Sequence, residues 1–247
     1  MPVSDMPISP LVCPPPPQEV ISSTDTLTED LVARVTRICD QVEDDINGTC
    51  AVLHIQGPAG DEGSGDWPSP VSLRLVNKWE RALRRLEQSS AAAIATVSGY
   101  CSGLALDVLL ATDYRIATAD VLLAPPVTSG RLWPGMAVHR LAHQIGVAKA
   151  RKLVLFGMGV TAGEGIQLGL FDEVVPDHED LADAVAGASG LLTRTVGTGL
   201  PVRRRLLLEA ATTSFEESLG AHLAACDRML RYQPDENTSK GQREGAA

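Results

Sequence analysis

Residues 99–103 read Gly-Tyr-Cys-Ser-Gly and join two apolar stretches of the chain. This order fits a nucleophile elbow in which Cys101 takes the place of the usual serine. Asp172 and His222 would then complete the chain order that α/β hydrolases use for nucleophile, acid and base. The pattern is short, however, and Cys101 can equally be a small buried packing residue. The residues alone leave both interpretations open.

Asp107 suggests a second chemistry at the same place. If a helix runs through residues 104–111, Asp107 lies one turn from the N–H groups that open it. These groups and the helix dipole favour an anion, such as a phosphate or a developing oxyanion. A carboxylate beside them can act as a general acid or base, and its first-turn position favours the charged form, hence a base. The same aspartate could instead only stabilise the helix.

His139 and His143 lie four residues apart, a spacing that can hold a metal ion on a helix. The zinc version of this motif needs a glutamate after the first histidine, where Arg140 stands, and no third ligand is evident. The five cysteines are odd in number and form no Cys-x-x-Cys pair. We therefore predict no metal site, and the cysteine usage favours a reducing cytoplasm.

Strand and helix signals alternate around these residues, which indicates an α/β fold. Strands are predicted at residues 51–55, 92–97, 114–117, 121–123 and 170–175. Helices are predicted at residues 27–46, from Leu75 through Leu86, 104–111, from Pro134 through Ile145, 147–156, between Thr161 and Gly169, 181–193 and 200–232. Capping boxes are expected at Thr26 with Glu29 and at Thr161 with Glu164.

Four segments are predicted from composition and pattern. Residues 1–19 form a Pro-rich arm and residues 20–195 the core. Residues 196–232 form a C-terminal helical segment, and residues 233–247 a polar, disordered tail. The loop after the strand at 51–55 is rich in Gly, Asp and Pro, and such loops often build the site of an α/β protein.

Composition excludes several classes of function. The net charge of −10 disfavours nucleic acid or an anionic membrane as the main partner. No apolar stretch is long enough to span a bilayer. The chain does not open with a basic segment followed by an apolar one, as a secretory signal would. We expect a cytoplasmic protein.

Three stretches resemble the signature of the crotonase (enoyl-CoA hydratase/isomerase) superfamily. Residues 94–113 resemble its strand, Gly-Tyr/Ala-x-x-Gly-Gly-Gly-x-Glu-Leu turn and helix. Residues 133–141 resemble its Pro-Gly-x-Gly-Gly-x-x-Arg-Leu motif, and residues 156–175 its Thr-Gly-x-x-Ile-x-Ala-x-Glu-Ala…Gly-Leu-Val motif. The likeness runs from about residue 27 to 230. It implies a spiral of ββα units whose C-terminal helices assemble trimers or hexamers.

The resemblance also implies a site. Family members bind acyl-CoA and hold the thioester oxygen with two backbone N–H groups, which map to Gly65 and Leu104. The first catalytic glutamate of the family maps to Asp107. Val127 takes the place of the second, and a valine cannot move a proton. Hydration by paired glutamates is therefore not expected, and Val127 and Trp133 are predicted to line the substrate pocket. No cofactor is implied beyond the coenzyme A of the substrate.

Among family branches, the altered site and Pro-rich start look most like the accessory members of dihydroxyphenylglycine pathways. Those members help a polyketide synthase to make 3,5-dihydroxyphenylacetyl-CoA for glycopeptide antibiotics. The implied chemistry is dehydration or tautomerisation through an enolate. Two alternatives remain: a non-catalytic partner that stimulates a polyketide synthase, and a thioester hydrolase with Cys101 as its nucleophile.

Overall fold

The computed structural model describes residues 15–44, 50–59, 71–125, 127–128, 131–195 and 199–231. The chain divides into two compact units, residues 1–195 and 196–247. The described strands of the first unit are β1 (Gln18–Ser22), β2 (Cys50–Gln56), β3 (Ala92–Ser98), β4 (Tyr100–Cys101), β5 (Tyr114–Thr118), β6 (Leu122–Leu123), β7 (Val127–Thr128), β8 (Arg131–Leu132), β9 (Val160–Thr161) and β10 (Glu173–Val175). Its described helices are α1 (Glu29–Asp44), α2 (Leu73–Gln88), α3 (Gly103–Leu110), α4 (Ala137–Ile145), α5 (Val147–Phe156), α6 (Ala162–Leu168) and α7 (Leu181–Thr195). The second unit contains α8 (Leu200–Ala210) and α9 (Phe215–Arg231).

A five-stranded sheet of order β1-β2-β3-β5-β10 forms the centre of the first unit, and all of its pairs are parallel. Parallel strands covered on both faces are apolar along their length, as β3 is, with only Ser98 incompletely buried. β4 follows β3 after one residue but belongs to a smaller sheet of order β4-β6-β9. The chain therefore leaves the large sheet at residue 98, and β4 lies between that point and α3.

The edge strand β1 was not predicted, because its sequence offers only Val20 and Ile21 as an apolar signal. The strand pairs with β2, and the Val52 N–H donates to the Pro17 carbonyl at 2.9 Å. The Ile21 side chain is fully buried in the core. Residues 18 and 19, assigned by sequence to the arm, thus belong to this strand, and residues 1–14 lie outside the described part.

Helix ends depend on side-chain caps, and one cap was predicted at the wrong residue. Helix α1 begins at Glu29, and the Leu31 N–H donates to the Thr28 hydroxyl at 3.1 Å. The cap is therefore Thr28 and not Thr26. The box of Thr161 with Glu164 is confirmed, since each side chain accepts from the other residue's backbone N–H.

The single C-terminal helix predicted at residues 200–232 is wrong. Helix α8 ends at Ala210, and the hydroxyls of Thr212 and Thr213 donate to the Glu209 carbonyl at 3.1 and 2.8 Å. A capping box of Ser214 with Glu217 then begins α9. The strand predicted at 170–175 is also shorter. Leu170 is buried beside the end of α6, where its N–H donates to the Gly165 carbonyl, and β10 begins only at Glu173.

No helix in the described ranges is both long and apolar enough to cross a membrane.

Candidate active site

The link between β3 and α3 is a tight turn held against the end of β2. Gly99 has φ 68° and Gly103 has φ 57°. A residue with a side chain would be strained at these positive φ values. A Cβ on Gly99 would lie 2.4 Å from the Gly57 carbonyl oxygen. The Gly57 N–H donates to the Ser98 carbonyl, and the Tyr100 N–H donates to the Pro58 carbonyl, both at 2.9 Å. This close approach explains why glycine is required at position 99, whereas at position 103 the positive φ alone favours glycine.

The N-terminus of α3 lies at the end of this turn. Leu104 is the second residue of the helix and is 2% exposed. N–H groups in the first turn of a helix have no carbonyl partner within it. The structure thus places the Leu104 N–H in the first turn, as the sequence analysis expected. Gly65, the other predicted donor, lies outside the described residues, and both roles stay predictions.

Asp107 lies in the middle of α3 and is 3% exposed. The indole Nε1–H of Trp79, on α2, donates to its Oδ2 at 3.4 Å. Burial, and after it the charge of Glu80, raise the pKa of Asp107, which is about 7 in the folded protein. The Arg140 charge, the Trp79 indole and the Ala137 backbone N–H act in the opposite direction.

The expectation that Asp107 lies in the first turn and stays charged is therefore wrong, because Asp107 is the fifth residue of α3 and its carboxyl is enclosed. Desolvation outweighs the helix dipole because the carboxyl is almost completely enclosed. With a pKa about 7, the neutral and charged forms are both populated near neutral pH. Such a group can donate or accept a proton, which suits a general acid and a general base equally.

Arg140 organises the carboxylates around Asp107. Its side chain, on α4, is 7% exposed. Nε donates to Glu87 Oε1 at 2.6 Å, and Nη1 donates to Glu80 Oε2 at 3.1 Å, both on α2. Burial also raises the pKa of Glu80. Helices α2, α3 and α4 are thus joined by one partly buried charge network that includes the candidate catalytic carboxyl.

Sequence reasoning missed Trp79 and Glu80 as neighbours of Asp107, and Glu87 as a partner of Arg140, because these residues are distant in the chain. One signal was available. Arg140 shares its helix with the buried Ala137 and Leu141. A charged residue on an apolar helix face is seldom buried unless it is paired, so a partner carboxylate was to be expected.

Val127 is the first residue of the short antiparallel β7–β8 pair, and Trp133 directly follows that pair. Val127 pairs with Leu132 in the β7–β8 ladder, and the Val127 side chain lies outside the described part. Trp133 is half-buried and packs against the core. A Cβ on Gly135 would lie 2.8 Å from Trp133 Cδ1, so the glycine lets the indole fold over the chain. The proposed pocket role of both residues stays a prediction.

The geometry argues against the cysteine hydrolase. Cys101 is fully buried, and burial followed by the Asp107 charge raises the pKa of its thiol well above the usual range. The thiolate is the nucleophilic form, so this thiol is unreactive. Asp172 accepts the Arg115 backbone N–H at 2.8 Å. His222 contacts Cys226 at 3.6 Å within the second unit.

The His139 and His143 rings lie side by side, with their centroids 4.3 Å apart and their planes tilted by 51°. Within the ranges that the structure describes, no group of three or more His, Cys, Asp or Glu side chains is arranged to hold a metal ion.

Comparison with known proteins identifies the family to which this site belongs. A family model described as enoyl-CoA hydratase/isomerase matches residues 74–246, which include the turn, α3 and the Arg140 network. The chain belongs to this family. An enoyl-CoA hydratase of Amycolatopsis orientalis is 40% identical over 202 residues, which cover 82% of this chain and 90% of that protein. The prediction of an enoyl-CoA hydratase/isomerase-like enzyme is confirmed.

Solved structures of more distant relatives confirm the fold. An enoyl-CoA hydratase/isomerase from Marinobacter aquaeolei superimposes with a TM-score of 0.76 at 19% identity and covers 94% of each chain. An enoyl-CoA hydratase from Bacillus anthracis superimposes with a TM-score of 0.72 at 18% identity and covers 94% of this chain and 95% of its own. At these identities the comparison supports the crotonase-like α/β fold and nothing finer.

Proposed function

We propose that this enzyme binds an acyl- or polyketide-CoA thioester and catalyses dehydration or tautomerisation through an enolate. We further propose that this chemistry assists a polyketide synthase in forming 3,5-dihydroxyphenylacetyl-CoA. The observation that carries the proposal is Asp107, an enclosed carboxyl with a pKa about 7, four residues from the glycine that opens α3. It supports a proton carrier about one turn into a helix whose N-terminus can bind an anion.

In this proposal the N–H groups of Gly65 and Leu104 hold the thioester oxygen. Their hydrogen bonds strengthen as the α-proton leaves and negative charge develops on that oxygen. Asp107 accepts the α-proton as a carboxylate. In tautomerisation it returns that proton to another carbon or oxygen of the substrate. In dehydration it gives the proton to the β-hydroxyl, which leaves as water while the carbon–carbon double bond forms.

The single carboxyl distinguishes this site from one built for hydration. Hydration by the family's usual route needs two carboxyls that share the attacking water, and Val127 occupies the position of the second. A one-carboxyl site can still move one proton between two atoms of a bound substrate. Dehydration and tautomerisation both need only this.

A non-catalytic partner of a polyketide synthase is the second candidate. Val127 removes one proton carrier, and the buried Leu104 replaces a glycine beside the oxyanion position, which narrows the space for a substrate. A protein that works by contact would tolerate both changes. Loss of the Asp107 carboxyl therefore separates the two candidates.

The test is a reconstitution with the polyketide synthase, with 3,5-dihydroxyphenylacetyl-CoA measured by mass spectrometry. Asp107→Asn keeps the shape of the side chain and removes its proton chemistry. Glu164→Gln is the matched control, because it removes a carboxylate that caps α6 on the surface. The enzyme proposal predicts that only Asp107→Asn loses the stimulated product. Full stimulation by Asp107→Asn would establish the contact role instead.

We propose a homotrimer or homohexamer in the cytoplasm. Large apolar side chains on α9 support the assembly, since Phe215, Leu223 and Leu230 are 75%, 57% and 83% exposed. Exposed apolar surface of this extent is typical of an interaction site. Light scattering of the purified protein gives the number of subunits directly.

A further inference from the structure

The hydroxyl of Ser102 is buried and has no hydrogen-bond partner. Ser102 is 4% exposed, and its Oγ makes no hydrogen bond in the structure. A buried hydroxyl without a partner loses its bonds to water and gains none in return, so native proteins seldom keep one without a reason. Ser102 directly precedes Gly103 and Leu104 in the proposed oxyanion turn.

Ser102 has the position of a helix cap but does not act as one. It is the N-cap of α3 and has the extended backbone that caps adopt, with φ −148° and ψ 176°. Its side chain nevertheless accepts no N–H from the first turn of the helix. Ser72, in contrast, accepts the Leu75 N–H at 3.2 Å, and Ser214 accepts the Glu217 N–H at 3.3 Å. The Ser102 hydroxyl therefore accepts no hydrogen bond from the N–H groups at the start of α3.

The direction of the Ser102 side chain follows from the strand before it. Side chains alternate between the two faces of an extended chain. Cys101 belongs to the hydrophobic core, so the extended Ser102 presents its hydroxyl to the opposite side. By this alternation the hydroxyl lies on the side opposite the Cys101 thiol, on the residue that directly precedes α3.

We propose that the Ser102 hydroxyl is a further substrate-contacting donor, which hydrogen-bonds the thioester oxygen alongside the Leu104 N–H. This inference rests on the proposed function, since it requires a thioester at this turn. A hydroxyl can rotate to follow the oxygen as the carbonyl becomes an enolate, whereas a backbone N–H is fixed. Its bond strengthens when the oxygen carries negative charge.

The missing partner is therefore the ligand's carbonyl oxygen. Because protein atoms enclose the hydroxyl, the incoming oxygen must displace the atoms that cover it. Removal of the hydroxyl should then have two effects. The protein without ligand is no less stable, and its affinity for ligands that carry a carbonyl falls. A purely structural serine would show neither.

The experiment compares Ser102→Ala with Ser89→Ala on the full chain. Ser89 is the matched control, because its buried hydroxyl does have a partner and donates to the Ala91 carbonyl at 2.8 Å. Two probes are used: acetyl-CoA, and ethyl-CoA, the thioether in which a methylene replaces the carbonyl. Calorimetry gives each dissociation constant, and thermal unfolding gives the stability of each variant.

We expect Ser102→Ala to weaken acetyl-CoA binding roughly 3- to 10-fold, the effect of one neutral hydrogen bond. Ethyl-CoA binding stays unchanged, and the melting temperature does not fall. Ser89→Ala lowers the melting temperature and changes neither affinity.

Equal losses for both probes, no loss for acetyl-CoA, or a melting temperature lowered as in Ser89→Ala would each overturn the inference. A Ser102→Ala variant that fails to fold overturns it too, because the hydroxyl would then be structural. All of these outcomes leave the proposed function intact if the wild type binds acetyl-CoA. A wild type that binds neither probe removes the proposed function and this inference together.

Discussion

Replacement of Asp107 by asparagine tests the electrostatics of the site through protein stability. The carboxyl has a pKa of 3.8 when unperturbed and about 7 in the folded protein. Its pKa is therefore raised on folding, so the folded state holds the proton more tightly than the unfolded state. The stability associated with this proton is fully present below pH 3.8 and is lost as the pH rises to about 7.

The size of the effect follows from the shift. About three pH units at 1.36 kcal/mol per unit give roughly 4 kcal/mol. Asparagine has nearly the same shape, can accept the Trp79 N–H and does not titrate. The free energy of unfolding of Asp107→Asn minus that of the wild type should therefore rise by about 4 kcal/mol between pH 4 and 7, and stay constant above pH 7.

Urea unfolding at fixed protein concentration, at intervals from about pH 4 to 8, measures this difference. Glu164→Gln provides a control of opposite sign. The Thr161 backbone and side chain lower the pKa of Glu164, so its contribution is present at neutral pH and is lost on acidification. A difference for Asp107→Asn that does not change with pH would refute the reasoning. A difference that falls as the pH rises would show a carboxylate stabilised by Arg140 instead.

Three further predictions concern residues around the same turn. Arg140→Ala should destabilise the protein by about 3–5 kcal/mol in urea unfolding, because it leaves partly buried carboxylates such as Glu87 without their partner; an unchanged midpoint would contradict the network. Gly99→Ala should cost more than about 2 kcal/mol, since φ is positive and the new Cβ meets the Gly57 carbonyl; normal stability would show that the turn can move. Cys101→Ala should keep the enzymatic activity, because the thiol is a buried packing group. A covalent acyl adduct on Cys101 in the wild type would support the hydrolase alternative instead.

The β3–turn–α3 unit was predictable because its signals are local. An apolar run, two glycines and a second apolar run suffice to give strand, turn and helix, and the structure places them within one residue of the predicted ends. Helix α5 begins and ends at the predicted residues, with Gly157 in a left-handed conformation as its cap. The order of the three family motifs along the chain then predicted the fold, which no single motif could have done.

The protonation of Asp107 could not be predicted from its neighbours in the sequence. The helix position alone favours a charged carboxylate, whereas the enclosure that neutralises it comes from α2 and α4. Short strands were not predicted from the sequence for a related reason. A pair such as β7 with β8 has two residues on each strand, so its formation depends on the partner and not on a repeating pattern.

Exchange of the α-protons of 3,5-dihydroxyphenylacetyl-CoA in deuterated water tests the central claim most directly. An enzyme that forms an enolate exchanges these protons whenever its carboxyl equilibrates with water before it returns a proton, whichever product it makes in the cell. We predict exchange by the wild type, detected by NMR as loss of the α-CH₂ signal, and a rate at least about 10²-fold lower for Asp107→Asn, the usual effect of losing a general acid or base. Exchange at the uncatalysed rate with the wild type, or equal exchange by Asp107→Asn, would contradict the account.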